Sequence, residues 1–132
     1  MEDLGLLIIR VVIGLAFVGH GAQKLFGWFG GYGLKGTGGW FDSIGMKPGV
    51  AAAAMAGLVE FAGGLLFAAG LFTTVVSILL ALIMLVAIVK VHGQNGFWAT
   101  ANGYELNLLL MAVFVGVALI GAGDYSVDAY LH

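Results

Sequence analysis

Arg10, His20 and Glu60 lie inside long apolar stretches, and Lys24, Lys90, His92, Glu105 and Asn107 lie near the ends of such stretches. A charged side chain at the centre of a membrane helix costs roughly 2.5–3.5 kcal/mol on the insertion scale, so groups of this kind are kept where they pair or act. Two chemistries suit them. The carboxylates and imidazoles can exchange protons, which makes Glu60, His20 and Glu105 the candidate catalytic groups. The guanidinium, ammonium and imidazole groups can hold the oxygens of a bound molecule, so the candidate binding set is Arg10, His20, Lys24, Glu60, His92 and Glu105. A purely structural reading stays open for two residues, in which Arg10 and Glu60 form a buried ion pair that fixes helix registry. Lys90 alone reads as a snorkelling topology marker, and Asn107 as a helix-end hydrogen bonder.

These side chains need elements to position them. Leu4 to about Phe26 is long enough to cross a ~30 Å hydrocarbon core at 1.5 Å per residue. A second helix follows Lys47 and Pro48 and runs from Gly49 to Leu71. Gly70 suits a helix stop and Thr73 or Thr74 a cap, which predicts a tight hairpin into a third span ending near Val91. A fourth runs from about Tyr104 to Ile120, before a short amphipathic tail. On a helical wheel Arg10, His20 and Lys24 share one face. Glu60 is embedded in Ala53, Ala56, Gly57, Gly63 and Gly64, small residues that let helices approach closely and turn the carboxylate inward. Counted from the lysine-bearing ends, Glu60 is roughly 17 Å deep, between His20 at roughly 9 Å and Arg10 at roughly 24 Å. The expectation is one enclosed pocket in which these residues face each other.

Composition supports that architecture. Of 132 residues, 61% are hydrophobic and 9% charged, with mean hydropathy +1.08. A surface so poor in charge has to be covered by lipid rather than water. Period-two patterning is absent, which rejects a transmembrane β-barrel. The predicted fold is therefore all-α, an integral membrane four-helix bundle, with residues 1–132 as a single domain. A net charge of −2 with no basic run argues against nucleic acid. The chain has no cysteine, which excludes a thiolate nucleophile or a cysteine-held cluster within it. The opening MEDLGLL has acidic flanks and no early cleavage pattern, so the first apolar segment is read as retained. Lys24, Lys35, Lys47 and Lys90 all fall on one side, which predicts a multi-pass protein of the cell membrane with both termini outside the cytoplasm.

The connection from Gly27 to Lys47 is long for a small bundle and rich in glycine and aromatics. It reads either as an interfacial aromatic belt, with Trp28 and Trp40 at headgroup level, or as a lid over the bundle mouth. The 94–103 connection resembles it and supplies Trp98 on the same side. His20-Gly21 and His92-Gly93 form a short internal echo. His20, His92 and Glu105 share one depth, but no helix carries a tight metal-ligand spacing, and Lys24, at i+4 from His20, is no ligand at neutral pH. No metal site is assigned.

The blocks HGAQKLFGWFGG at 20–31, GLVEFAGGLLFAAGL at 57–71, and KVHGQNGFW with GYELNLLL at 90–110 resemble the DoxX family of small four-helix bacterial and archaeal membrane proteins. The resemblance spans nearly the whole chain. It implies association with thiosulfate:quinone oxidoreductase subunits, quinone or catechol stress, and membrane redox complexes. It also marks Arg10, His20, Lys24, Glu60, His92 and Glu105 as the recurring polar positions. Sulfur-handling relatives carry cysteines that this chain lacks, so thiosulfate chemistry is not expected of it alone. The reading that follows is a redox-linked site for a quinone or small aromatic, with Phe26, Trp28 and Trp98 walling the entrance. No flavin, haem or nicotinamide motif occurs, so no cofactor is expected within the chain apart from a bound quinone. Electrons would come from a soluble or membrane oxidoreductase partner or from the ligand. Two other classes compete: a proton-coupled small-molecule carrier, and a non-catalytic anchor or assembly subunit. The glycine seams leave a homo-oligomer open.

Overall fold

Glycine spacing sets how the helices meet. The computed structural model describes residues 1–98, 100 and 103–131. Helix α1 (Glu2–Phe26) packs most extensively on α3 (Gly49–Ala69), and the two run antiparallel. A Cβ added to Gly14 would stand 2.6 Å from the Gly64 carbonyl oxygen, and one added to Gly21 would stand 2.5 Å from the Phe61 amide nitrogen and 2.7 Å from the Gly57 oxygen. Each step of seven residues along α1 is matched by seven back along α3, so the seam keeps one register over two turns. This seam, which left pairing between protomers open, is filled inside the chain.

The turn after α3 is as tight as predicted, with Gly70 in the left-handed conformation at φ 71°. Helix α4 (Thr73–Ala87) follows directly and packs on α5 (Glu105–Ile120). Its cap is not Thr73 or Thr74. The N-cap position is Phe72, and the capping oxygens come from Asp128 in the tail, whose carboxylate accepts from the amides of Phe72 at 2.8 Å and Thr73 at 3.0 Å. A carboxylate at that helix start satisfies orphan amides and suits the positive end of the helix dipole. Beyond Ala87 the helix loosens into a π-turn, Ile88–His92, and then a short 3-10 turn.

Four helices do not account for the whole chain. Among the described residues there are six, because the glycine-rich connection folds into α2 (Gly33–Ser43) and the tail into α6 (Val127–Leu131). Glycine's low helix propensity hides α2 in the sequence, yet its glycines have a packing role. A Cβ on Gly49 would collide with the Gly38 carbonyl oxygen, so the two backbones touch, and the Gly49 amide donates to Asp42 Oδ1 at 2.8 Å. Thus α2 is clamped to the start of α3. Residues 99, 101 and 102 of the 94–103 connection, and residue 132, lie outside the described residues.

The fold is all-α and belongs in a membrane. Glu2–Phe26, Gly49–Ala69 and the helical run Thr73–Asn95 are long and apolar enough to span one, and Glu105–Ile120 is apolar but 16 residues long. Apolar side chains cover the outside, Leu15, Leu58 and Leu82 among them, while Phe17, Phe67 and Phe114 meet edge to face in the centre at 5.3 Å.

The seam makes a differential prediction. Gly21→Ala should lose about 1–3 kcal/mol of stability in equilibrium unfolding in detergent. Gly19→Ala, where nothing lies within 4 Å of an added Cβ, should lose none.

Candidate functional site

Glu60 lies on the α3 face that meets α1, and its residue is 4% exposed. One turn earlier, a Cβ placed on Gly57 would stand 2.8 Å from Leu25 Cγ and 3.3 Å from Lys24 Cβ, so the glycine makes room for Leu25 and for the base of Lys24. The lysine therefore lies along α3 instead of snorkelling to the headgroups. Its Nζ donates to Glu60 Oε2 at 2.7 Å and Oε1 at 3.1 Å, with side-chain exposures of 24% and 6%.

Cavities flank this ion pair. One, of about 300 Å³, lies among α1, α4 and α5, with His20, Lys24, Glu60, His92 and Asn107 on its walls and Phe17 beneath. A second, of about 250 Å³, lies on the other side, walled by Trp40 and Phe41 of α2 and by α4. Lys24, Glu60, Met84, Ala87 and His92 belong to both and form the partition between them. A third, of about 570 Å³, lies between the end of α1 and α2 and also touches Lys24. The π-turn delivers His92 to the partition, and widened helical turns of this kind recur at functional sites.

His20 lies one turn from Lys24 on α1 and meets Phe17 edge to face at 6.0 Å. His20 and His92, the two halves of the internal echo, thus reach one cavity from different helices. Glu105 begins α5 and is half-buried, next to the wall residues Leu106 and Asn107. Asn107 does more than end a helix: its Nδ2 is 3.8 Å from Met84 Sδ inside the cavity. Trp28 packs on Phe26 at 4.9 Å and Trp98 on Phe97 at 5.0 Å, and neither contributes to the three cavity walls. Trp40 and Phe41 of α2 line cavity walls instead, in place of the Phe26, Trp28 and Trp98 expected there.

Arg10 corrects the expected single pocket. It is fully buried, but at the opposite end of the bundle, where Nη1 donates to the Ala68 carbonyl at 2.9 Å and Nη2 to that of Tyr125. Ala68 is eight residues beyond Glu60, about 12 Å along α3. The registry pair of Arg10 with Glu60 does not form. The wheel placed Arg10 on the right face, but antiparallel packing with the observed register sets it opposite the end of α3, whose last carbonyls attract a cation. With Asp128 on the start of α4, this end holds the hairpin turn and the tail together.

The remaining polar centre can bind and exchange protons. Lys24 and the two imidazoles can donate to ring or carbonyl oxygens, and Glu60 can accept from a hydroxyl; of these groups Glu60 is buried, Lys24 and His92 are partly buried and His20 is exposed. Among the described residues, no group of three or more His, Cys, Asp or Glu side chains gathers as a metal site.

A family model described as DoxX matches residues 5–93, more than half of the chain. The chain belongs to the DoxX family. A relative from Bacillus subtilis (strain 168) bearing the name "Putative oxidoreductase CatD" is 33% identical over 129 residues, which cover 98% of this chain and 88% of the relative. "Inner membrane protein YqjF" of Escherichia coli (strain K12) is 26% identical over 132 residues, covering 100% of this chain and 95% of the relative. No solved structure matches significantly. Membership of DoxX thus agrees with the motifs at 20–31 and 57–71, both inside the matched segment.

The division between the two ends can be tested. Asp128→Ala should cost about 1 kcal/mol, the usual value of a helix cap, and speed hydrogen exchange at the Phe72 and Thr73 amides. Arg10→Met should also release the tail around Tyr125. Protection in α2 should stay unchanged in both variants, and a loss there would tie Arg10 to the cavity end.

Proposed function

We propose that this DoxX protein is a redox-linked membrane subunit that binds a quinone or small aromatic ring beside Lys24 and Glu60 and works with a partner oxidoreductase. The observation that carries this reading is the Lys24–Glu60 ion pair standing in the wall of a 300 Å³ cavity together with His20 and His92. Holding an ammonium inward costs desolvation that a topology marker would avoid, so a bound group that uses it is the economical account. Lys24 and His20 donate to the ring oxygens, Glu60 takes a proton as the reduced ring is oxidised and returns it as the ring is reduced, and His92 and Glu105 connect the site to the lysine-rich face. The ring is the redox-active species, and its electrons come from the partner. The name of the Bacillus subtilis relative supports an oxidoreductase setting. The lysine asymmetry and the name of the Escherichia coli relative support placement in the cell membrane with the cavity end toward the cytoplasm and both termini outside.

The test is titration of the purified protein in nanodiscs with a short-chain benzoquinone, followed by calorimetry and by quenching of tryptophan fluorescence. Saturable binding is expected, weakened about tenfold in His20→Ala, the worth of roughly one hydrogen bond to a charged or polarised oxygen. Lys24→Met should weaken it further. An absence of binding, or binding indifferent to both substitutions, contradicts the proposal.

A further inference from the structure

The largest of the three cavities, of about 570 Å³ between the end of α1 and α2, has no part in the proposed function apart from Lys24. Its volume falls within the roughly 300–1,000 Å³ usual for small-molecule sites. Gly30, Tyr32, Gly36 and Trp40 on its walls are exposed, at the end of the bundle that carries Lys35 and Lys47, so it is reached from water rather than from acyl chains. Tyr32 and Trp40 give it aromatic faces, and Gln23, Lys24 and Thr37 give it hydrogen-bonding groups.

Each of those three groups has capacity left over. Thr37 is 7% exposed, and among the described residues no hydrogen bond engages its hydroxyl. A buried hydroxyl in that condition calls for a partner. Gln23 Nε2 donates to the Phe29 carbonyl at 3.2 Å, which leaves Oε1 as an acceptor. Lys24 directs two of its N–H groups to Glu60 and keeps one. The set is one acceptor and two donors. Because Glu60 answers the charge of the lysine, nothing in the set favours an anion. Its complement is an imide edge, O=C–NH–C=O, in which one donor stands between two acceptors, on a flat uncharged ring that can stack on Trp40.

We infer that this cavity is a second binding site, entered from water, for a fused flat ring with an imide edge, of which the isoalloxazine of a flavin is the class. The three fused rings of isoalloxazine suit the volume, and its capacity to carry two electrons suits the partner that the proposed function requires. The choice of flavin among imide rings rests on that reading, whereas the site itself does not.

Riboflavin, which is uncharged and whose fluorescence is quenched on stacking with indole, is titrated into the protein in nanodiscs against protein-free nanodiscs. Saturable quenching is expected. Riboflavin methylated at the imide nitrogen should bind about tenfold more weakly, and Thr37→Val should weaken riboflavin about tenfold, each through the loss of one hydrogen bond. Trp40→Leu should weaken both flavins alike, since it removes a stacking face and no hydrogen bond. Uridine, which has the imide edge on a single ring, should displace riboflavin only at concentrations at least tenfold higher. Quenching no greater than in protein-free nanodiscs, equal affinity for the two flavins, or indifference to Thr37→Val overturns the site, and uridine binding as tightly as riboflavin overturns the assignment to a fused ring. Benzoquinone titration of the same samples judges the quinone reading separately: its failure beside intact riboflavin binding removes that reading and leaves this site standing.

Discussion

An ammonium and a carboxylate can remain charged within hydrocarbon only when each answers the other, and much of the cavity end follows from that requirement. Lys24 and Glu60 approach to 2.7 Å with little solvent between them. Removing one partner of such a pair leaves a stranded charge and costs far more than replacing both with apolar groups. The geometry that permits it comes from Gly57, which makes room for Leu25 and the base of Lys24, and from the Gly14–Gly64 and Gly21–Gly57 contacts that keep α1 and α3 close. The glycine seam, the inward lysine and the paired cavities are parts of one solution.

The two ends of the bundle use buried charge differently. At the cavity end the ion pair stands in a wall with space on both sides, and the two imidazoles line the same cavity, His92 partly buried and His20 exposed. At the other end Arg10 and Asp128 serve the backbone: the cation meets the last carbonyls of α3, and the carboxylate meets the first amides of α4. Helix ends leave unsatisfied groups of opposite sign, and the hairpin brings one of each kind together. Anchoring that turn lets the opposite end carry cavities without the helices parting.

Much of this was legible in the residues. The spans could be read from apolar length, and the inward direction of Glu60 from the glycines and alanines around it. His20 and Lys24 were recognised as one face because they are four residues apart. The partner of Arg10 was not readable, since backbone carbonyls have no side-chain signature and the contact with Tyr125 joins residues at opposite ends of the chain. Helix α2 was hidden because Gly36, Gly38 and Gly39 argue against a helix locally, whereas close packing on α3 outweighs that preference. The cap from Asp128 was missed for the same reason as the Arg10 contact, being a tertiary contact rather than a local one.

The central claim is that Lys24 and Glu60 act as one unit. A double-mutant cycle in bilayer-mimetic unfolding measures this directly, using Lys24→Met, Glu60→Leu and the two combined. Each single substitution should cost about 3 kcal/mol, the low end for a buried pair because the lysine keeps some exposure, and the combined variant should recover most of that loss. Losses that simply add would show that the two charges are independent and would contradict the account.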